Sequence, residues 1–250
     1  LFPDITYSFY PVYARLFGLD YDTVPLGADF GIPVEKLMKS RGGVVLANPN
    51  APTGKALPLS DIRRILEGNP DSVVIVDEAY ADFGTESAVP LVNEFPNLLV
   101  VRTLSKSHSL AGMRIGFAFG DANLIKALER IKNSFNSYTL DRLAILAGTA
   151  ALEDPSYYGE VKRKVVAARE RFAGELRKRG FHVVDSSANF VFAGHRTESA
   201  ETIFKRLREK GILVRYFKKP VIDNYLRITI GTDEEMDKVV EALDIILEHV

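Results

Sequence analysis

The sequence predicts an α/β fold in which helices flank a mostly parallel sheet, with a smaller α+β unit after it. In the first half, short runs of β-branched residues alternate with helical stretches, which is typical of a parallel sheet. These runs are continuous rather than alternating, as in strands buried on both faces. The order of elements changes near residue 153. We therefore expect a large domain over residues 1–152, incomplete at its N-terminus, and a small domain over 153–250.

The elements of the first half follow in order. Ser60 is a plausible N-cap for a helix over 60–67, and a second helix over 121–135 carries apolar residues at helical spacing. A third helix is predicted over 140–152. The strands of the main sheet are predicted at 44–47, 73–76, 98–101 and 115–119. In a parallel sheet, ligands bind at the carboxyl ends of the strands, so the residues that follow each strand are the candidate site.

The second half begins with a long basic helix over 156–179, which Gly180 ends as a C′ residue. Strands are predicted at 181–184 and 189–192, and then a helix over 200–210 ends at Gly211. Strands at 212–216 and 226–230 precede a last helix that begins near Asp233. This mixture of strands and helices predicts an α+β unit.

Composition excludes several classes of protein. The 250 residues carry a net charge of −1 and no cysteine, which argues against nucleic-acid binding, disulfides and thiolate metal sites. The histidines are scattered without metal-ligand spacing, so we expect no metal; they are His108, His182, His195 and His249. No apolar run spans a bilayer and no secretory signal is present, so a cytoplasmic location is expected. Because the chain opens at Leu1 on an apolar pair, we expect its natural N-terminal segment to be missing.

Four polar segments follow or end predicted strands: 48–54, 76–80, 102–108 and 110–116. Taken singly, each has a simpler explanation as a turn, an exposed strand end or a solvated loop. An acidic pair at the end of an apolar strand is nevertheless costly unless it is paired. A lysine held near the apolar interior, as we expect for Lys106, favours the neutral amine that a Schiff-base nucleophile requires. Arg114, between two glycines, is suited to a phosphate.

The combination is more specific than its parts. Asp77 is followed three residues later by Tyr80, Lys106 follows the next strand, and Arg114 lies eight residues further on. A carboxylate, a phenol, an amine and a guanidinium in this order fit one ligand, a phosphorylated and cationic pyridine ring that carries an aldehyde.

The chain resembles the fold-type-I aminotransferases, and within them the branch that uses histidinol phosphate. The resemblance runs from Tyr7 to Arg227 and is most specific in the segments 102–106 and 110–116, with agreement at 77–80. It implies pyridoxal phosphate as cofactor and a homodimer. It further implies conversion of histidinol phosphate and 2-oxoglutarate to imidazole acetol phosphate and glutamate, in histidine biosynthesis.

Carried over residue by residue, the resemblance implies the following roles. Lys106 binds the cofactor covalently and then moves the proton between the substrate Cα and the cofactor. Asp77 pairs with the pyridine nitrogen and keeps it protonated. Tyr80 hydrogen-bonds the ring's phenolic oxygen. The remaining roles are ring stacking by Tyr7, phosphate binding by Thr103, Ser105 and Arg114, and substrate binding by Arg227, which grips the α-carboxylate, and by Asn189.

The sequence departs from the family pattern in two places. The family has an asparagine immediately before Pro-Thr-Gly, but here that residue is Ala51, which leaves Asn50 or Tyr80 alone to bond the ring oxygen. The family's N-terminal part carries a glycine-rich phosphate-binding helix start, an arm over the substrate and a tyrosine for the partner subunit, which we expect this chain to lack.

Three alternatives therefore stay open. The chain could be a catalytically incomplete fragment that acts as a scaffold or a dimerising partner. It could be a related aromatic aminotransferase or a threonine-phosphate decarboxylase. A doubly wound nucleotide-binding protein ranks last, because no Walker or dinucleotide glycine motif follows any strand.

Overall fold

The structure is a computed structural model and describes residues 1–248. Two main sheets lie one after the other along the chain, each with its own helices. The strands are β1 (Phe2–Pro3), β2 (Thr23–Val24), β3 (Val44–Ala47), β4 (Val74–Asp77), β5 (Leu98–Thr103), β6 (Gly116–Gly120), β7 (Phe181–Val184), β8 (Phe190–His195), β9 (Arg215–Tyr216) and β10 (Leu226–Thr229). The helices are α1 (Tyr10–Leu16), α2 (Val34–Leu37), α3 (Leu59–Glu67), α4 (Ala122–Phe135), α5 (Arg142–Glu153), α6 (Pro155–Lys178), α7 (Ala200–Glu209) and α8 (Asp233–Leu247).

The first sheet has the order β3-β4-β5-β6, and its first three strands are parallel, which confirms the predicted mostly parallel sheet. β6 runs antiparallel to β5. The register sets Ala47 beside Asp77 and Asp77 beside Val101, so β3, β4 and β5 end at the same edge. Polar residues that follow these strands therefore meet there. Leu1 lies against β3, because its carbonyl accepts from the Val45 N–H at 2.9 Å.

The second sheet is antiparallel, with the order β7-β8-β10-β9. Helices α6, α7 and α8 cover it and form one apolar core, in which Phe172, Leu207 and Leu243 are fully buried. Gly180 and Gly211 follow their helices with positive φ, as predicted for C′ residues. This arrangement fits the predicted α+β unit, and the division of the chain at residue 152 stays a prediction.

Three local predictions were wrong. Helix α3 begins one residue before Ser60, and Pro58 occupies the cap position in an extended conformation without a side-chain bond. The strand predicted over 212–216 is reduced to β9, because the Ile212 N–H bonds the Leu207 carbonyl at the end of α7. β6 was expected to be buried on both faces, but it is paired with β5 alone among the described residues, and most of it is exposed.

Residues 1–248 contain neither a membrane-spanning helix nor a cluster of metal-ligating side chains. No helix in this range combines the length and apolar character that a membrane span needs. The same residues contain no group of three or more side chains of the metal-ligating types placed to hold an ion. His249, one of the four scattered histidines, lies outside the described residues.

Candidate active site

Asp77 ends β4 and is a half-buried acidic group of the site. Its Oδ2 accepts from the Tyr10 hydroxyl at 2.9 Å, and its Oδ1 accepts from the Ala79 N–H at 3.1 Å. Burial raises the pKa of Asp77, while the Tyr10 hydrogen bond, the Ala79 N–H and the charge of Lys106 oppose that rise. Burial outweighs these contacts, so the pKa of Asp77 is raised overall, and the carboxylate lies within electrostatic reach of Lys106.

Lys106 lies in the loop after β5, and its ammonium is 5.3 Å from the centre of the Tyr80 ring. The side chain is exposed, so the expectation that it is held near the apolar interior was wrong. The reason lies in the loop, where the neighbouring Leu104 and Ser107 turn inward and are buried, which directs Lys106 outward. The contact with the ring is a cation–π interaction, which orients the amine over Tyr80.

Tyr7 lies before α1 and borders the same space. Its ring is about half exposed and packs edge-on against Tyr10 at 5.6 Å. Burial raises the pKa of Tyr7, the charge of Asp77 adds to that rise, and the charge of Arg114 opposes it. Side chains far apart in sequence thus act on one phenol, which is evidence that they converge on one site.

The residues predicted to bind the cofactor phosphate are only partly assembled. Thr103 Oγ1 lies 2.9 Å from Ser105 Oγ and 3.0 Å from the Ile115 carbonyl oxygen, and it accepts from the Ser105 N–H. Arg114 is exposed, adopts a left-handed backbone conformation with φ 57° and donates to the Ala111 carbonyl at 2.8 Å. Two hydroxyls and a guanidinium are therefore available in the turn beside β5.

Arg227 lies on β10 and lines a cavity of about 590 Å³ together with Tyr7. Its Nε is buried without a hydrogen-bond partner, although buried polar groups are nearly always paired. Arg215 and Lys219, which the sequence analysis missed, line the same cavity. The antiparallel pairing places Arg215 opposite Arg227, a signal that becomes visible only once the register is known. The cavity therefore favours an anionic ligand.

Aromatic rings connect the two cations of the site. The ring of Tyr80, under Lys106, packs edge-on against Phe190 at 5.2 Å, and the guanidinium of Arg227 lies 5.1 Å from the centre of the Phe190 ring. The Ser187 N–H also donates to the Gly54 carbonyl at 2.8 Å. The second sheet is thus joined to the loops that follow β3 and β4.

Asn50 was the candidate replacement for the asparagine missing at Ala51, a role that requires polar atoms free to bond the cofactor. Asn50 has no such free atoms facing the site. It is fully buried, and its Oδ1 accepts from Thr6 Oγ1 at 2.8 Å. Its Nδ2 donates to the Ile5 carbonyl at 2.9 Å and to Thr53 Oγ1 at 3.1 Å. Because these bonds use both ends of the amide, Asn50 holds the turn to the segment before α1. Tyr80 is left as the candidate for the ring oxygen.

Asn189 is half-buried at the start of β8, where its carbonyl accepts from the Ile230 N–H at 2.9 Å. It is not among the residues that line the Arg227 cavity. Its predicted contact with substrate stays a prediction.

A half-buried ion-pair network, also missed by the sequence analysis, supports the Lys106 loop. Asp82 accepts from Arg102 at 2.7 Å and from Lys162 at 3.1 Å, and the hydroxyl of Ser107 also donates to it. Burial alone raises the pKa of Asp82, but the Ser107 hydrogen bond and the two cations outweigh burial and hold it below its ordinary value. The residue after Lys106 is thereby anchored to α6.

The chain is similar over most of its length to known proteins. Residues 1–243 match the family model described as aminotransferase class I and II. The chain is 58 % identical to histidinol-phosphate aminotransferase 2 of Burkholderia mallei and 55 % identical to the histidinol-phosphate aminotransferase of Clostridium acetobutylicum. Each alignment spans 242 residues, covering 97 % of this chain and 68 % and 69 % of those proteins.

A solved structure agrees with the fold. The histidinol-phosphate aminotransferase of Sinorhizobium meliloti, solved in complex with pyridoxal-5'-phosphate, superposes with a TM-score of 0.90 at 26 % identity. The match covers 99 % of this chain and 70 % of that one.

The chain belongs to the class I and II aminotransferases. Within that family it is similar to the histidinol-phosphate aminotransferases, so the predicted resemblance is confirmed.

Proposed function

We propose that the chain is a pyridoxal-phosphate-dependent aminotransferase that converts histidinol phosphate and 2-oxoglutarate to imidazole acetol phosphate and glutamate, in histidine biosynthesis. The observation that carries the proposal is Asp77, a half-buried carboxylate at the end of β4 that faces Lys106. The names of the relatives at 55 % and 58 % identity support the choice of substrate.

The residues at the end of the sheet fit pyridoxal phosphate. Asp77 has acceptor capacity left for a ring N–H, because a carboxylate accepts about four hydrogen bonds and only two are made here. The half-exposed face of Tyr7 is available for stacking on the ring. Thr103, Ser105 and Arg114 supply the donors for the phosphate. When bound, the cofactor supplies an aldehyde that takes up the amino group and a ring that delocalises the charge left on Cα.

The side chains of this protein hold the cofactor, transfer the proton and orient the ring. Lys106 holds the cofactor and carries the proton from the substrate Cα, for which an exposed and mobile amine is suitable. Asp77 keeps the ring nitrogen protonated, and Tyr80, under Lys106, donates its phenol to the ring oxygen. Asp82, through its bonds to Arg102 and Ser107, fixes the loop that carries Lys106.

The basic cavity suits both substrates. Histidinol phosphate carries a phosphate at one end and 2-oxoglutarate carries two carboxylates, so one cationic pocket serves both halves of the reaction. Arg227, Arg215 and Lys219 line this cavity. A guanidinium binds a carboxylate or a phosphate in bidentate fashion, which would also give the unpaired Nε of Arg227 its missing partner.

A homodimer in the cytoplasm is part of the proposal. Its support is the apolar surface formed by the ends of α4 and by α5, where Phe135, Leu143 and Leu146 are 81 %, 71 % and 60 % exposed. Large exposed apolar patches mark interaction sites, and symmetric dimers are the commonest assemblies.

The first test is an absorption spectrum of the purified chain with added pyridoxal phosphate, with Lys106→Ala beside the wild type. We expect a band near the visible edge in the wild type that is absent from the variant. Bleaching of that band by glutamate would support an aminotransferase over a threonine-phosphate decarboxylase. Faster bleaching by histidinol phosphate than by phenylalanine would support the proposed substrate over an aromatic one.

The main alternative, a catalytically incomplete scaffold, is decided by the same spectrum. A wild-type chain that folds cooperatively but shows no band at saturating cofactor would overturn the proposal and favour the scaffold.

A further inference from the structure

Tyr10, the first residue of α1, is a buried phenol that the proposed mechanism does not use. Its ring packs edge-on against Phe2 at 5.9 Å and against Tyr7 at 5.6 Å, and it is only 8 % exposed. Its hydroxyl points away from this packing and donates to Asp77 Oδ2 at 2.9 Å. Tyr10 therefore contacts both the candidate stacking residue and the candidate partner of the ring nitrogen.

We propose that Tyr10 is a positioning residue for Asp77, whose hydroxyl orients the carboxylate and stabilises its charge so that it can hold a protonated ring nitrogen. The inference rests on the proposed function, because it concerns the same cofactor site. The remaining hydrogen bond to Asp77 comes from the Ala79 N–H, two residues after the end of β4. Without Tyr10, one oxygen of the half-buried carboxylate would lose its donor.

The charged and titratable groups around Asp77 determine whether loss of the Tyr10 hydrogen bond raises or lowers the pKa of Asp77. The phenols of Tyr7 and Tyr10 face Asp77 from the α1 side, and the ammonium of Lys106 faces it from the loop after β5. Tyr80 lies three residues after Asp77 in the sequence. Burial and the charge of Asp77 raise the pKa of Tyr10 well above its ordinary value, so its hydroxyl stays a donor at every working pH. The Tyr10 hydrogen bond lowers the pKa of Asp77, so its removal raises that pKa.

The consequence is a shift in the pH dependence of cofactor binding. Asp77 must be ionised to hold the ring nitrogen, so affinity falls as the pH drops through its pKa. Loss of one hydrogen bond to a charged group changes an equilibrium constant by roughly tenfold or more. We therefore expect Tyr10→Phe to weaken cofactor binding about tenfold and to move the acid limb of the affinity profile up by about one pH unit.

The experiment measures the dissociation constant of pyridoxal phosphate by absorbance titration across the pH range, for wild type, Tyr10→Phe and Tyr13→Phe. Tyr13 is the matched control, because it lies on the same helix but is 48 % exposed. We expect its profile to coincide with that of the wild type. Protonation of the cofactor itself is common to all three proteins and cancels in the comparison.

A double-mutant cycle with Asp77→Asn separates a role through the carboxylate from a role in packing. In the Asp77→Asn background we expect Tyr10→Phe to cause no further loss of affinity. Additive losses, or a Tyr10→Phe profile that superimposes on the wild type, would overturn the role of Tyr10 while leaving the proposed function intact. A wild-type chain that binds no cofactor at any pH would overturn both.

Discussion

Helices α4 and α6 both carry apolar residues, but these residues lie in opposite surroundings. Phe172 of α6 is fully buried among residues of the second sheet, whereas Phe135 of α4 is 81 % exposed, and α4 contains no buried residue. The contrast extends to whole regions. The enclosed region (α6 to α8 with β7 to β10) forms one continuous core, and the open segment (residues 116–153) leaves most of its apolar side chains at the surface.

The comparison separates what a periodic pattern predicts from what it leaves open. Apolar residues at helical spacing predict a helix and the face it buries, but they carry no information about what lies against that face. In the enclosed region, neighbouring elements of the same chain supply the cover. In the open segment, β6 pairs with β5, but the buried residues of α5 are small ones such as Ala144 and Gly148, which pack near Leu104 and Ile115.

The largest loss of stability should come from truncating Phe172, the buried member of the pair Phe172 and Phe135. Phe172→Ala removes a fully buried ring from the core, and we expect it to lower the free energy of unfolding by about 3–5 kcal/mol. In the isolated chain, the same change at Phe135 should cost less than about 0.5 kcal/mol, because that ring is 81 % exposed until a second copy covers it. Urea unfolding of both variants with a common slope checks this. Equal losses would mean that α4 is covered in solution.

A buried cation gives the next largest effect. Arg169 of α6 donates from one nitrogen to the Phe83 carbonyl at 2.9 Å and to the Ala188 carbonyl at 2.8 Å, which joins the two sheets' loops. Arg169→Met leaves both carbonyls without that donor, and we expect a loss of about 2–4 kcal/mol. Arg130→Met, on the exposed surface of α4, is the control and should be nearly neutral. A loss as small as that of the control would show that water reaches both carbonyls.

Much of the fold was predictable from the sequence because local signals and tertiary environment agree there. The runs that form β3, β4 and β5 are apolar and continuous, and most of their apolar side chains are buried, whereas Val45, Ile75 and Val101 are half-buried. The glycines at 180 and 211 ended their helices as expected. β6 has the same kind of composition but lies at an edge, and edge position depends on strand order, which no local pattern encodes.

The candidate site divides in the same way. Asp77, Tyr80 and Lys106 were recognisable because each follows a strand of the parallel sheet. Arg215 was missed because its relevance depends on the register with β10, and Asp82 because its partners lie 20 to 80 residues away. Asn50 was assigned to the cofactor by its neighbours in sequence, whereas its bonds to Ile5, Thr6 and Thr53 became visible only in three dimensions.

Removal of a helix N-cap should have a smaller effect on stability, and that effect should differ between the enclosed region and the open segment. Thr232 caps α8 in a reciprocal capping box with Glu235, and Asp121 caps α4 by accepting from the Asn123 N–H. Thr232→Ala should lower the free energy of global unfolding by about 1 kcal/mol. Asp121→Ala should instead speed amide exchange within α4 and leave the urea midpoint almost unchanged, because a helix that buries nothing opens locally. Equal shifts in the two midpoints would contradict this division.

The smallest effect on stability, but the most informative about the open segment, should come from Leu146→Ser. Leu146 is 60 % exposed on α5, so the change should alter the free energy of unfolding of the isolated chain by less than about 0.5 kcal/mol. If a second copy covers this surface, the variant must nevertheless weaken self-association, since burying a leucine contributes about 1.5–3 kcal/mol and the surface occurs twice in a symmetric dimer.

We therefore expect the dimer of Leu146→Ser to dissociate at a concentration at least about tenfold higher than the wild-type dimer, measured by sedimentation velocity over a dilution series. Leu213→Ser is the matched control, because Leu213 is 80 % exposed but lies outside the open segment, so its dimerisation should equal that of the wild type. A wild-type dimer that neither variant disturbs would assign the interface to another surface. A wild type that stays monomeric throughout would contradict the proposed homodimer, and the exposed face of α5 would then need a different explanation.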